Sequence, residues 1–243
     1  QGRALKRDLQ PPRIASVMPA SRSLSPRAPS KTRERILDTS LALFNESGAP
    51  NVTTNHIADA VGISPGNLYY HFRHKEDIVT GLYDRYEAAI GEVIGGAGGE
   101  AGAVDDLWLI VHLAFEVIHD YRFIHRDLSE LSTAYPPVRA RFQRGLERGI
   151  EQTTQYCRAL AEQGALDATP EEARALAVNM SLVTTYWLNL QTLRDAGGGQ
   201  GAPPDSDAIS LGVFQVLSLI TPYLRGEIKD DFRRVALRYL PST

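Results

Sequence analysis

The chain has 243 residues, 43 % of them apolar and 23 % charged, the composition of a protein that folds around a sizeable core. A single cysteine, Cys157, excludes an internal disulfide framework and points to a reducing compartment. No apolar run approaches the roughly 20 residues of a membrane span, and residues 1–30 carry charges and prolines where a secretory leader has its apolar stretch, so a soluble cytoplasmic protein is expected.

The net charge of −3 is unevenly spread. Residues 1–30 hold six Lys or Arg (Arg3, Lys6, Arg7, Arg13, Arg22, Arg27) against Asp8, residues 31–80 are near neutral, and the remainder is acidic. A basic end on an acidic body suggests a polyanionic partner near the N-terminus. Residues 1–29, rich in Pro, Arg and Ser without helical or strand period, are expected to form a flexible basic tail.

From Ser30 the pattern turns helical. Ser30 can cap a helix whose apolar stripe is Ile36, Leu37, Leu41 and Phe44, and Gly48 ends it. Thr53 caps a short helix that turns Ile57, Ala58 and Val61 inward and stops at Gly62. Ser64-Pro65 restarts the chain with a capping hydroxyl followed by proline at the first helical position. The next helix buries Leu68 and Phe72, and a longer one runs from Lys75 towards Ile94, with Glu76 and Asp77 at its positive end. After the glycines at 95–99, helices are expected near 104–120, 123–132, 136–164, 170–195, 206–225 and 227–240, with residues 196–207 as a loop. No strand period appears, so the fold class is all-α. The expected domains are a tail over 1–29, a helix-turn-helix domain over 30–78 and a helical effector-binding and dimerisation domain over 79–243.

Three short helices with a tight glycine turn between the second and third describe a helix-turn-helix. With Leu68 and Phe72 anchoring the third helix, Asn67, Tyr70 and His71 fall on its opposite side, free to meet base edges and phosphates. The segment from Val52 to Lys75 carries the spacing T-x-x-I-A-x-x-x-G-I-S-x-G-x-L-Y-x-H-F-x-x-K without a gap, from Thr54 through Ile57, Ala58, Gly62, Ser64, Gly66, Leu68, Tyr69, His71 and Phe72 to Lys75. It resembles the signature of the TetR family of transcriptional regulators, closely over residues 31–85 and in general plan beyond them.

That resemblance implies a DNA-binding surface of Thr53, Thr54, Asn55, Ser64, Gly66, Asn67, Tyr69, Tyr70, His71 and Lys75. Within it, Thr54 and Tyr69 would touch backbone phosphates, and Asn55, Gly66, Asn67 and Tyr70 would face bases. His71 and Lys75 would grip phosphates, Lys75 aided by the helix N-terminus. Asn55 stands where some relatives carry a longer arginine. The family also implies a homodimer, here through the helices near 170–195 and 206–225, on a double-stranded palindromic operator. The segment Tyr121–Leu128 resembles one branch of these regulators, whose effectors are varied.

The helix near 105–120 is apolar almost all round, apart from a narrow stripe of His112, Glu116 and His119. That stripe fits a solvated edge, a polar pocket wall, or, through Glu116-x-x-His119, a metal-binding pair. No cofactor or metal is expected. An effector pocket would draw on Trp108, His112, Phe115, Glu116, His119, Phe123, Tyr186 and Trp187, within a cavity enclosed by the helices near 104–120, 136–164 and 170–195; the aromatic residues fit a plain core equally well. The expected function is a repressor released from DNA by a small organic effector. The alternative is a regulator gated by a protein partner. No catalytic constellation or glycine phosphate loop supports an enzyme.

Overall fold

The computed structural model describes residues 31–96, 104–194 and 206–240. Four helices open it: α1 (Lys31–Ser47), α2 (Thr54–Val61), α3 (Pro65–His71) and α4 (Lys75–Gly96). Seven follow: α5 (Val104–Asp120), α6 (Arg122–Arg126), α7 (Leu128–Ala134), α8 (Pro136–Glu162), α9 (Pro170–Arg194), α10 (Ser206–Ile220) and α11 (Gly226–Leu237). The fold of the described residues is all-α, as its 3.6-residue apolar periods dictate. The expected cap at Ser30, the tail, and most of the glycine segment and of the 196–207 loop lie outside the described residues.

Two cores organise these helices. The first gathers Ile36, Leu37 and Phe44 of α1, Ile57 and Val61 of α2, Leu68 of α3 and Phe72. It continues through Ile78, Leu82 and Tyr86 of α4 to Phe123, Ile124, Leu131 and Val138. The second lies among α5, α8, α9, α10 and α11, built on Phe115, Leu160, Leu176, Trp187, Val213 and Leu217. Helix α4 therefore crosses the expected boundary after residue 78 without a break, its buried residues extending to Tyr86. At Gly212 helix α10 lies close on α5 and α9: a Cβ there would stand 2.5 Å from Phe115 and 2.7 Å from Trp187.

Two expected helices are shorter than their apolar patterns suggest. The helix expected near 123–132 is two, α6 and α7, separated at Asp127. The Asp127 carboxylate reaches away to accept the Ala49 N–H at 2.7 Å, a tertiary bond that local periodicity does not encode. The helix expected over 206–225 ends at Ile220 in a 3₁₀ turn, Thr221–Tyr223, because Pro222 cannot continue the α-helical ladder.

Short helix α6 is tied to α1 and α9, and α1 in turn to the end of α5. The Arg126 guanidinium donates to the Phe44 carbonyl (2.8 Å) and the Asn45 carbonyl (3.1 Å) at the end of α1. The Asn45 amide donates to the Asp120 carbonyl at 2.7 Å, and its oxygen accepts the Phe123 N–H at 3.1 Å. From α9, the Asn189 amide donates to the Arg126 carbonyl at 3.1 Å. The bond to the Asn45 carbonyl satisfies a group that the end of α1 would otherwise leave unpaired, and together these bonds seat the first core on the second.

Candidate nucleic-acid interface

The pair α2–α3 is set by its caps. The Thr53 hydroxyl accepts the His56 N–H at 3.2 Å, and His56 Nδ1 accepts the Thr53 N–H at 3.4 Å, so the imidazole closes a capping box where Glu or Gln is usual. Gly62 ends α2 at φ +74°, a left-handed conformation costly for any residue with a Cβ. Arg35 of α1 donates to the Val61 carbonyl at 2.9 Å and so satisfies the end of α2. Ser64 then caps α3, its hydroxyl accepting the Asn67 N–H at 3.2 Å, with Pro65 at the first position.

Helix α3 is pinned on one side and open on the other. Leu68 is fully buried and Phe72 nearly so, with the Arg33 guanidinium 4.7 Å from the Phe72 ring centroid. Opposite them, Gly66, Asn67, Tyr69 and Tyr70 are exposed, Tyr70 by 84 %. The half-buried His71 ring meets Tyr70 edge-on at 5.1 Å. Thr54 Oγ1 and the Tyr69 hydroxyl lie 3.1 Å apart and bridge the first turn of α2 to α3. Thr53, Asn55 and Ser64 are also exposed. Nine of the ten residues expected at a DNA surface thus lie on α2, α3 or their caps, and all nine are exposed or half-buried.

The tenth, Lys75, is placed differently. Its ammonium points inward, donates to the Ala49 carbonyl and lies 5.7 Å from the Phe44 ring centroid. Burial lowers its pKa, against the opposing pull of Asp127. The structure thus places the Lys75 ammonium against the end of α1 rather than outward, where a phosphate-gripping side chain is expected. An exposed cation that the motif reading passed over, Arg73, stands two residues beyond α3.

The residues expected at an effector pocket do not converge. Phe115 and Trp187 pack around Gly212 in the second core. Phe123 lies in the first core, its ring 5.3 Å from Phe44, and Tyr186 faces outward, half exposed. Trp108 packs at the edge of the second core. The polar stripe of α5 keeps together: His112 Nε2 is 3.3 Å from Glu116 Oε1. Tyr239, beyond α11, lies against that stripe, 5.6 Å from the His112 ring. Burial, then the Glu116 carboxylate, pushes the Tyr239 phenol up to about 12. His119 is held below its usual range by burial and then by the Arg122 guanidinium. The Nδ1 atoms of His112 and His119 are buried without a hydrogen-bond partner among the described residues.

A helix-turn-helix with its recognition face open, carried on a larger helical body, defines an all-helical transcription regulator. Residues 36–82 match the profile of "Bacterial regulatory proteins, tetR family", and residues 85–232 match that of the TetR "Bacterial transcriptional repressor". The chain belongs to the TetR family and is a TetR-family transcriptional regulator. It is 36 % identical to the HTH-type transcriptional regulator AcrR of Shigella flexneri over 63 residues, 26 % of this chain and 29 % of that protein. It is 29 % identical to the repressor KstR2 of Rhodococcus jostii over 120 residues, 42 % of this chain and 59 % of that one. The chain therefore spans less than two thirds of the length of these curated relatives. Among solved structures, a TetR-family regulator from Marinobacter aquaeolei is 32 % identical with a TM-score of 0.77, covering 87 % of this chain and 100 % of that one. A regulator from Saccharomonospora viridis, solved with choline, shares the fold at 22 % identity and a TM-score of 0.66, covering 82 % of this chain and 100 % of that one. Among the described residues no helix is long and apolar enough to cross a membrane.

Proposed function

We propose that this regulator is a repressor that binds a palindromic operator as a homodimer and is released by a small organic effector. The observation that carries the DNA half is Tyr70, a large aromatic side chain 84 % exposed in the middle of a face that also presents Gly66, Asn67 and Tyr69. Its ring touches little but His71, a poor use of a tyrosine unless a partner covers it. In this reading Asn55, Gly66, Asn67 and Tyr70 face bases in the major groove. Thr53, Thr54, Ser64, Tyr69 and His71 meet the flanking backbone. The division of labour falls within α4, which belongs to the first core up to Tyr86.

Dimerisation is supported by an apolar stripe on α9. Val178, Leu182, Tyr186, Leu190 and Leu193 recur at three- and four-residue spacing and are 42–77 % exposed. Helix α10 packs beside α9, so both helices can join a two-fold interface. Met180, Leu188 and Leu217, apolar residues of the same two helices, are spent on the second core.

The effector half rests on the polar edge of α5, where buried, unpartnered imidazole nitrogens lie beside apolar surface. Such an edge suits an uncharged or weakly polar molecule able to hydrogen-bond to His112 and His119. The effector acts by binding better to a state whose recognition helices no longer match the operator spacing. Replacing His112 and His119 by Phe tests this: the response to an inducing compound changes while DNA affinity without it stays near wild type. An unchanged response removes the α5 edge from the effector site.

A further inference from the structure

We infer that the operator is read at A·T pairs in each half-site, Asn67 taking an adenine edge and Tyr70, with the gap beside it at Gly66, taking the methyl group of a neighbouring thymine. The inference rests on the DNA-binding reading above and names the bases that its recognition helix selects.

The open face of α3 is narrow and uncharged. At 3.6 residues per turn, Gly66, Asn67 and Tyr70 fall within an arc of about 100° opposite the side that Leu68 and Phe72 bury. All three are exposed. Tyr69 and His71 flank them: the Tyr69 hydroxyl is 3.1 Å from Thr54 Oγ1, and His71 is half-buried. Arg33 of α1 lies over the Phe72 ring and Arg35 donates to the Val61 carbonyl, so both are engaged within the protein. In the major groove guanine is read by a cationic fork on O6 and N7, and cytosine by a carboxylate on N4; this face offers neither. An asparagine amide matches adenine instead: its oxygen accepts the N6 amino group and its NH2 donates to N7.

Gly66 gives an independent pointer. Glycine weakens a helix, yet here no left-handed φ requires it, and a Cβ built there would meet nothing nearer than Ser64 Oγ at 4.0 Å. The protein's own packing thus gives no reason for the missing side chain. One turn on, on the same side of α3, the Tyr70 ring stands 84 % exposed. A side chain is absent beside a large uncovered ring, which leaves room for a small apolar group against it. The apolar group that base edges present in the major groove is the thymine C5-methyl. Asn67 and Tyr70 are separated by about 4.5 Å along the helix axis. The adenine and the thymine therefore belong to neighbouring pairs, about 3.4 Å apart.

The test uses the full chain and the duplex it selects from random DNA, in which single atoms are then changed. The selected palindrome is expected to carry A·T pairs at neighbouring positions of each half-site, where Asn67→Ala relaxes the preference. Replacing the contacted adenine by 7-deazaadenine, which removes the N7 acceptor, should weaken wild type about tenfold per half-site and Asn67→Ala no further. Replacing the thymine by uracil, which removes the methyl group, should weaken wild type about fourfold and leave Tyr70→Ala unaffected. Both side chains are exposed, so the two variants should melt as wild type does. G·C pairs at the positions that Asn67→Ala relaxes would mean that a cation outside this face reads them, and would overturn the inference. Equal responses of wild type and variants to the altered bases would overturn it too, and either result leaves α3 as the reader of the operator. A selection that enriches no sequence overturns the DNA-binding reading together with the inference.

Discussion

The Tyr86 hydroxyl and His125 Nε2 lie 2.9 Å apart where α4 meets α6, and His125 Nδ1 lies 3.2 Å from the Thr185 carbonyl of α9. A carbonyl can only accept, so Nδ1 carries the proton and donates to Thr185, leaving Nε2 to accept from the phenol. One neutral ring thereby joins α4, the helix that follows the recognition helix, to the helix of the exposed apolar stripe. The Phe142 ring, 5.8 Å away, closes the site from α8.

This ring makes stability depend on pH. Burial lowers the His125 pKa from 6.5 to about 4, only partly offset by the Thr185 bond. Because the folded value lies below the unfolded one, the contribution is fully present above about pH 6.5 and is lost as the pH falls towards 4. The loss is roughly 1.36 kcal/mol per pH unit inside that window. Urea unfolding at pH 7 and pH 5 checks it: wild type should lose about 2 kcal/mol over that interval, and His125→Gln clearly less.

The apolar stripe of α9 predicts where a charge separates subunits. Leu182, 56 % exposed, can become Glu without disturbing the subunit interior, and Leu182→Glu should yield folded monomers in sedimentation at micromolar concentration. Leu217 on α10 is fully buried, so Leu217→Glu should unfold the chain instead of splitting a dimer. A folded dimer from Leu182→Glu would move the interface elsewhere.

The close approach at Gly212 predicts a third effect. A methyl group there must displace Phe115 and Trp187, which are packed by the core on their far sides. Gly212→Ala should therefore cost about 1–3 kcal/mol by overpacking, despite the higher helix propensity of alanine. Thermal unfolding of the variant measures the difference.

What the sequence made legible was what is local. Thr53, Gly62, Ser64-Pro65, Leu68 and Phe72 each perform the task their residue type suggests, because caps, left-handed turns and amphipathic spacing act within a few residues. Tertiary choices were hidden. Nothing near Asp127 announces that its carboxylate will bond Ala49, 78 positions away, from the junction of two helices. The inward turn of Lys75 depends on the carbonyl of Ala49, 26 residues earlier. Met180, Leu182 and Tyr186 share one helix, yet the first is buried and the other two are not, a distinction made only by where α8 and α10 pack. The scattered pocket candidates follow the same rule: aromatic residues on different helices declare no common cavity until those helices are placed.

Selection of bound duplexes from random DNA, run in parallel with the wild-type chain and Asn67→Ala, tests the central claim most directly. The account predicts a palindrome whose half-sites lie about one helical turn apart, roughly 34–36 Å, as two recognition helices of a dimer require. Asn67→Ala should lose about 1–3 kcal/mol on that site and relax the preference at one or two base pairs in each half. Enrichment of no sequence, or an identical preference from the variant, would contradict the assignment of α3 as the element that reads DNA.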